Sequence, residues 1–107
     1  MYWDIKKADT YTLYSPLKLN ENDFISALSS IDLSANTIID ASKISFTESV
    51  KLALSNCNEA HLKVHKSFVV VTGNMLAMSD LEELFVLVPT ISEAIDYIYM
   101  EELEKNL

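Results

Sequence analysis

Glycine, proline and cysteine are all scarce in this 107-residue chain, which has one glycine, two prolines and one cysteine. So few chain-breaking residues argue against disorder, and half of the residues are hydrophobic. A single cysteine cannot form an internal disulfide, which agrees with a reducing compartment. The length suits one domain that spans residues 1–107, so we expect a single folded unit with short connections.

Basic residues are also few. The chain has 8 Lys and Arg and 16 Asp and Glu, which gives a formal net charge of -8. Such a charge repels nucleic-acid phosphates and anionic lipid head groups, so we expect no nucleic-acid partner. No apolar run approaches the ~18 residues that span a bilayer, and residues 1–4 lack the basic head and apolar body of a secretion signal. These absences predict a cytoplasmic protein without membrane insertion.

The most informative stretch is 37–73, which is predicted to form a strand, a long helix and a second strand. Runs rich in β-branched residues at 37–41 and 67–72 flank a segment from Thr47 to Val64 with apolar residues at helical spacing. Two strands joined by such a helix lie parallel. The expected fold class is therefore α/β, with a mixed, mostly parallel sheet of about five strands. The predicted buried stripe of the long helix is Val50, Ala53, Leu54, Cys57, Ala60 and Val64.

The flanking segments predict an N-terminal β-hairpin, further helices and a last strand. Asn20 supplies a cap for a short helix, and capping boxes that begin at Ser79 and Thr90 open two more, with a strand at 85–88 between them. Alternation in the hairpin puts Tyr14 on its polar side. The residues expected on the apolar side of the hairpin are Trp3, Ile5, Tyr11 and Leu13. The stripe predicted for the first helix is Phe24, Ala27, Leu28 and Ile31.

Several segments resemble one known family. Ile38-Ile39-Asp40-Ala41-Ser42 is similar to an apolar strand that ends in Asp-Leu-Ser, and 67–73 is similar to the strand after the central helix. The tail is similar at 87–90, 93–98 and 100–103. The family is the STAS domain, the fold of anti-sigma factor antagonists, and the resemblance covers Thr37 to Leu107. It implies a small stand-alone STAS-like domain that regulates another protein by binding it.

Members of this family that are switched by phosphorylation carry Asp-Ser-Ser/Thr-Gly-Leu where the central helix begins. The spacing aligns Glu48-Ser49-Val50-Lys51-Leu52 with that motif, so the resemblance implies Ser49 as a candidate phosphoacceptor. Val50 replaces the second hydroxyl residue, Lys51 replaces the glycine, and the segment after Gly73 is about two turns shorter than in the family. These departures argue against a standard kinase-substrate cycle. The candidates for the partner-binding face are Glu48, Ser49, Val50, Lys51, Met75 and Met78.

Without the family, Ser49 is a hydroxyl in the first turn of a helix, where the dipole favours an added phosphate. The alternative is that Thr47 or Ser49 only caps the helix. His61 and His65 have the i, i+4 spacing of two metal ligands, but no third ligand follows at a fixed offset. We therefore expect solvated or core-edge histidines, with no metal and no cofactor. Cys57 is expected in the core.

Three functions remain compatible with the sequence. The first is a regulatory interaction module like an anti-sigma factor antagonist, whose partner is an anti-sigma factor or a kinase-like protein, with a phosphorylation switch at Ser49. The alternative is a STAS-like subunit that cannot be phosphorylated and belongs to a larger complex, such as a transporter or a sensory assembly. A homodimer fits either one. The third is a small-ligand binder. No nucleophile, base and orienter can be assembled, so we expect no enzymatic activity.

Overall fold

The computed structural model describes residues 1–73 and 84–105. Its elements within these residues, in chain order, are β1 (Trp3–Lys7), β2 (Thr12–Pro16), α1 (Glu21–Leu28), β3 (Thr37–Asp40), α2 (Glu48–Lys63), β4 (Phe68–Val71), β5 (Val86–Val88) and α3 (Ile91–Lys105). The capping box predicted at Ser79 and the methionines Met75 and Met78 lie outside the described residues.

The strands form one mixed sheet in the order β1-β2-β3-β4-β5. β1 and β2 are an antiparallel hairpin, and β2, β3, β4 and β5 are parallel to one another. In the parallel part Ile38 lies beside Val69, and Val69 lies beside Val86. The predicted α/β fold class is confirmed, as is the parallel arrangement that the strand-helix-strand unit requires.

Helices cover both faces of the sheet, which produces two cores. α1 and α2 pack on the face that carries Ile39 and Val70, whereas α3 packs on the face that carries Ile38 and Val69. Neighbouring residues of one strand therefore point into different cores. This two-sided burial explains why β3 and β4 are continuous apolar runs instead of alternating ones.

Tyr14 and Ile5 of the hairpin differ from their prediction, and both differences follow from the order of the strands. Tyr14 was expected on the polar side, but it is only 4% exposed, because β2 lies inside the sheet and is covered on both faces. Ile5 was expected on the apolar side, but it is 48% exposed, because it belongs to the edge strand. Only Trp3 of β1 reaches the core, where its Nε1 donates to the carbonyl oxygen of Ala27 at 3.0 Å.

Side-chain caps begin each of the three helices within residues 1–73 and 84–105. The Oδ1 atom of Asn20 accepts from the Asp23 amide at 2.9 Å, and the Oγ1 atom of Thr90 accepts from the Glu93 amide at 3.2 Å. Both caps confirm the sequence patterns that predicted them. Thr47 caps α2 and is described with the candidate site.

His61 was expected to be solvated or at the core edge, and this prediction is wrong. The side chain is 0% exposed. Its Nδ1 lies 2.7 Å from the carbonyl oxygen of Cys57, its Nε2 lies 2.8 Å from Oγ1 of Thr37, and its ring contacts Phe68. A histidine with partners at both nitrogens can be buried like an apolar residue, and apolar periodicity does not detect it. The buried line of α2 is thus Val50, Leu54 and His61, while Val64 is 45% exposed.

Candidate functional site

The loop from β3 to α2 is held in place by its own hydrogen bonds. Asp40 accepts through Oδ1 from the amide of Ser42 at 3.2 Å and from its hydroxyl at 2.7 Å. The Ala41 amide donates to the carbonyl of Val71 at 2.9 Å, and Ile44 is buried beneath α2. These contacts bring the chain to Thr47 at the carboxyl end of the parallel strands, the edge where α/β folds usually bind ligands and partners.

Thr47 is the N-cap of α2 and also connects α2 to α1. Its backbone is extended, with φ -78° and ψ 168°, and its Oγ1 accepts from the amide of Val50 at 3.3 Å. The same hydroxyl donates to the carboxylate of Glu21 in the first turn of α1. One hydroxyl therefore contacts the N-terminal ends of both helices. Capping, one of the two roles left open for Thr47 and Ser49, is therefore performed by Thr47.

Ser49 is the second residue of α2, and it is exposed. The first turn of a helix presents backbone amides and the positive end of the dipole, so an anionic group on this hydroxyl is favoured electrostatically. Glu48, the residue before it, is exposed too. The side chain of Ser49 is thus exposed to solvent in the first turn of a helix whose N-terminus is capped.

Lys51 does not neutralise charge at Ser49. Its ammonium pairs with the carboxylate of Glu48 at 3.2 Å, and its side chain is 25% exposed against 93% for Glu48. Residues two apart on a helix point to different sides, so Lys51 and Ser49 are not neighbours on the surface. The lysine that stands at the family's glycine position is therefore folded against the helix.

Val50 cannot belong to a partner-binding face, and its prediction as a face residue is wrong. It is 0% exposed, because it is the first residue of the buried line of α2. The motif alignment placed it beside Ser49 in sequence, but a helix turns it toward the sheet. Leu52 was not among the predicted face candidates, and it is 63% exposed. Helical spacing could have found it, since Leu52 lies outside the predicted buried stripe.

Cys57 is half-buried at the edge of the core, not inside it, and borders a cleft of about 320 Å³ between α1 and α2. Burial raises the pKa of its thiol to about 11, so the sulfur is protonated at neutral pH. Its Sγ lies 3.9 Å from Nδ1 of His61, but that nitrogen must donate to the Cys57 carbonyl, since a carbonyl oxygen only accepts. The pair is not arranged as a nucleophile and its base.

A second polar cluster lies at the opposite end of the sheet. Asn36 donates to the Thr10 carbonyl at 2.9 Å and to Oε1 of Glu102 at 2.7 Å, and it accepts from the Ser67 amide at 2.9 Å. The hydrogen bond from Asn36 lowers the pKa of the Glu102 carboxyl. Every buried side-chain nitrogen and oxygen in 1–73 and 84–105 has a partner, so this cluster is structural.

Residues 1–73 and 84–105 contain no group of three or more His, Cys, Asp and Glu side chains placed to hold a metal ion. None of the helices in those ranges has the length and apolar character needed to cross a bilayer.

Comparison by sequence found no matching family model and no matching curated protein. Comparison by structure did find matches, and the fold that they define is that of a stand-alone STAS domain. The predicted STAS-like fold is therefore confirmed, and identities below 20% limit what is shown to the fold.

One match is TM1081 of Thermotoga maritima, a protein provisionally assigned as an anti-sigma factor antagonist. Its crystal structure has a TM-score of 0.72 at 18% identity and covers 91% of this chain and 94% of that chain. Its NMR structure has a TM-score of 0.69 at 18% identity, over 92% of this chain and 90% of that chain. Another match is a serine-to-glutamate variant of RsbS from Moorella thermoacetica, with a TM-score of 0.73 at 14% identity, over 91% and 94% of the two chains.

Proposed function

We propose that this chain is a regulatory protein-protein interaction module that acts in the manner of an anti-sigma factor antagonist. The partner binds the exposed face at the start of α2, and phosphorylation of Ser49 controls that binding. The single observation that carries the proposal is the exposed Ser49 in the first turn of α2, on a backbone fixed by the Thr47 cap. The shared fold with a provisionally assigned anti-sigma factor antagonist supports it.

The contacts around Ser49 predict where a phosphate would have its effect. The helix dipole stabilises the group, Glu48 repels it, and Lys51 is engaged with Glu48. These contributions are small and opposed, so phosphorylation leaves the stability of the fold nearly unchanged. A partner that docks on this face must desolvate a doubly charged group, so the effect appears in binding.

The test is affinity capture from the native cell with the wild type, Ser49→Ala and Ser49→Asp as baits, followed by mass spectrometry of the partners and of Ser49 itself. The chain offers a matched control in Ser92, which is also the second residue of a helix capped by threonine and is also exposed. Ser92→Asp adds the same charge at the same helical position on the other face of the sheet. We expect the wild type, Ser49→Ala and Ser92→Asp to retain one partner that Ser49→Asp loses.

Equal capture by Ser49→Ala and Ser49→Asp, with no phosphate on Ser49 in the native protein, would refute the switch. A partner retained by all four baits would then support the alternative, a constitutive STAS-like subunit of a transporter or sensory assembly. Loss of the partner from Ser92→Asp as well would show that the charge acts on the whole molecule and not on this face.

A further inference from the structure

One leucine lies beside Ser49 on the exposed surface of α2. Leu52 is 63% exposed and follows Ser49 by three positions and Glu48 by four, so the three side chains share one face of the helix. Asn56 and Glu59, four and seven positions after Leu52, are exposed and continue this face. At about 100° per residue, the two glutamates fall on one side of Leu52, and Ser49 and Asn56 fall on the other.

Exposure alone does not distinguish Leu52, since isolated leucines are common on protein surfaces. Leu62 of the same helix is 62% exposed. What distinguishes Leu52 is its place within one turn of Ser49, whereas Leu62 lies at the opposite end of α2. A large apolar side chain beside a candidate modification site is positioned to be buried when a partner docks there.

We propose that Leu52 is the anchor of the partner-binding face, and that the partner is a protein with an apolar pocket for Leu52 and lysine or arginine residues along one rim of that pocket. This inference rests on the proposed function and adds the anchor residue and the chemistry of the partner. The cationic rim follows from Glu59, from the net charge of -8, and from Glu48, whose side chain is 93% exposed despite its weak surface pair with Lys51. A second copy of this chain is disfavoured, because a symmetric contact sets the same acidic side chains against each other.

The positions of Ser49 and the two glutamates around Leu52 explain how a phosphate on Ser49 would weaken partner binding. The cations of the partner face Glu48 and Glu59, on the other side of Leu52 from Ser49. A phosphate on Ser49 would therefore enter the contact on the side without compensating charge, and Lys51 is held by Glu48. Seating Leu52 in its pocket would strip water from that phosphate, so modification blocks the anchor without any backbone movement.

The test uses the protein that the wild type captures and Ser49→Asp loses, purified after its identification, in calorimetric titrations against full-length variants. Leu52→Asn weakens binding by ~10-fold or more, the effect of losing an interface anchor. Leu62→Asn, the matched control, changes binding by no more than about twofold, as expected for a surface change outside the contact. Thermal unfolding of both variants should match the wild type, since both side chains are mostly exposed.

Two further measurements are specific to the mechanism. Ser49→Asp should cost less affinity in the Leu52→Asn background than in the wild type, because both changes act on one contact. Added salt should weaken binding of the wild type, and Glu48→Gln should reduce that salt dependence.

Each part of the proposal is refuted by a different result. Equal weakening by Leu52→Asn and Leu62→Asn, or none by either, refutes the anchor while the Ser49 result stands. Binding that salt does not weaken refutes the cationic rim. Sedimentation of the wild type as a dimer that Leu52→Asn dissociates shows that a second copy occupies the face, against the proposal. If no captured protein responds to Ser49→Asp, the proposed function fails first, and this inference fails with it.

Discussion

Replacement of the buried histidine tests the packing between α2 and the sheet. His61→Ala removes a side chain that is 0% exposed, leaves a cavity beside Phe68 and takes a hydrogen-bond partner from Thr37. Truncating a large buried residue and orphaning one polar group each typically cost a few kcal/mol. The Thr37 hydroxyl can still donate to the Ala35 carbonyl at 3.3 Å, which moderates the second cost. We expect a total loss of about 3 kcal/mol, measured by urea unfolding, and a Tm lower by roughly 10 to 20 °C.

The matched control is His65→Asn. His65 is exposed and has φ 59°, a left-handed conformation that asparagine tolerates. The free energy of unfolding of this variant should therefore equal that of the wild type. A loss of less than about 1 kcal/mol in the free energy of unfolding is typical of substitutions outside the core. If His61→Ala loses no more than that, or loses the same as His65→Asn, the ring is not buried with a partner at each nitrogen.

The stability of the wild type should also depend on pH through His61. Burial lowers the pKa of His61 from its ordinary value of 6.5, although the hydrogen bond to the Cys57 carbonyl partly opposes this. As the pH falls below 6.5, the unfolded chain therefore takes up a proton before the folded one does, and stability falls. We expect the wild type to lose more stability than His61→Ala between pH 7.5 and about pH 5.5, since their carboxylates are the same. Equal losses would show that the ring is not desolvated.

Three other predictions concern the end of α2 and the surroundings of Cys57. His65 is the left-handed residue that ends α2, where its amide donates to the Leu62 carbonyl and the Lys66 amide donates to the His61 carbonyl. Glycine adopts this conformation without strain, so His65→Gly should raise the free energy of unfolding by about 1 kcal/mol. A lower Tm for His65→Gly would show that the histidine side chain stabilises the turn. Cys57 should react slowly with alkylating reagents at neutral pH because its pKa is raised to about 11, and Cys57→Ala should cost about 1 kcal/mol. Rapid alkylation of the native protein would contradict the half-buried position of the sulfur.

Local sequence patterns predicted the fold well and the site only partly. The β-branched runs at 37–41 and 67–72 and the helical spacing after Thr47 correspond to β3, β4 and α2, because each pattern reports burial along its own element. The pattern could not show which face of β2 is covered, since that depends on strand order, and so Tyr14 was misplaced. His61 was misplaced because its two hydrogen-bond partners come from tertiary structure and from its own backbone.

In the candidate site, residues that are adjacent in the sequence motif do not share one surface of α2. Ser49 was aligned by spacing, and the structure places it exposed in the first turn of α2, while its role as a phosphoacceptor stays a prediction. Val50, its neighbour in sequence, faces the core, and Leu52, which the aligned motif includes but the predicted face leaves out, faces solvent. A helix orders side chains every three or four residues, so adjacency on the surface has to be read from the helical turn and not from the alignment.

The five strands that the structure describes lie in the sheet in the same order as along the chain, and this affects how the protein folds during synthesis. Each strand pairs with the strand that precedes it, so a nascent chain can dock every new strand as it leaves the ribosome without waiting for a distant C-terminal partner. The growing sheet exposes the unpaired backbone edge of its newest strand at each stage, first β2, then β3, then β4. Until Val86 has also left the ribosome, β4 has no partner on its outer side, and its four buried residues lie at an open edge of the sheet.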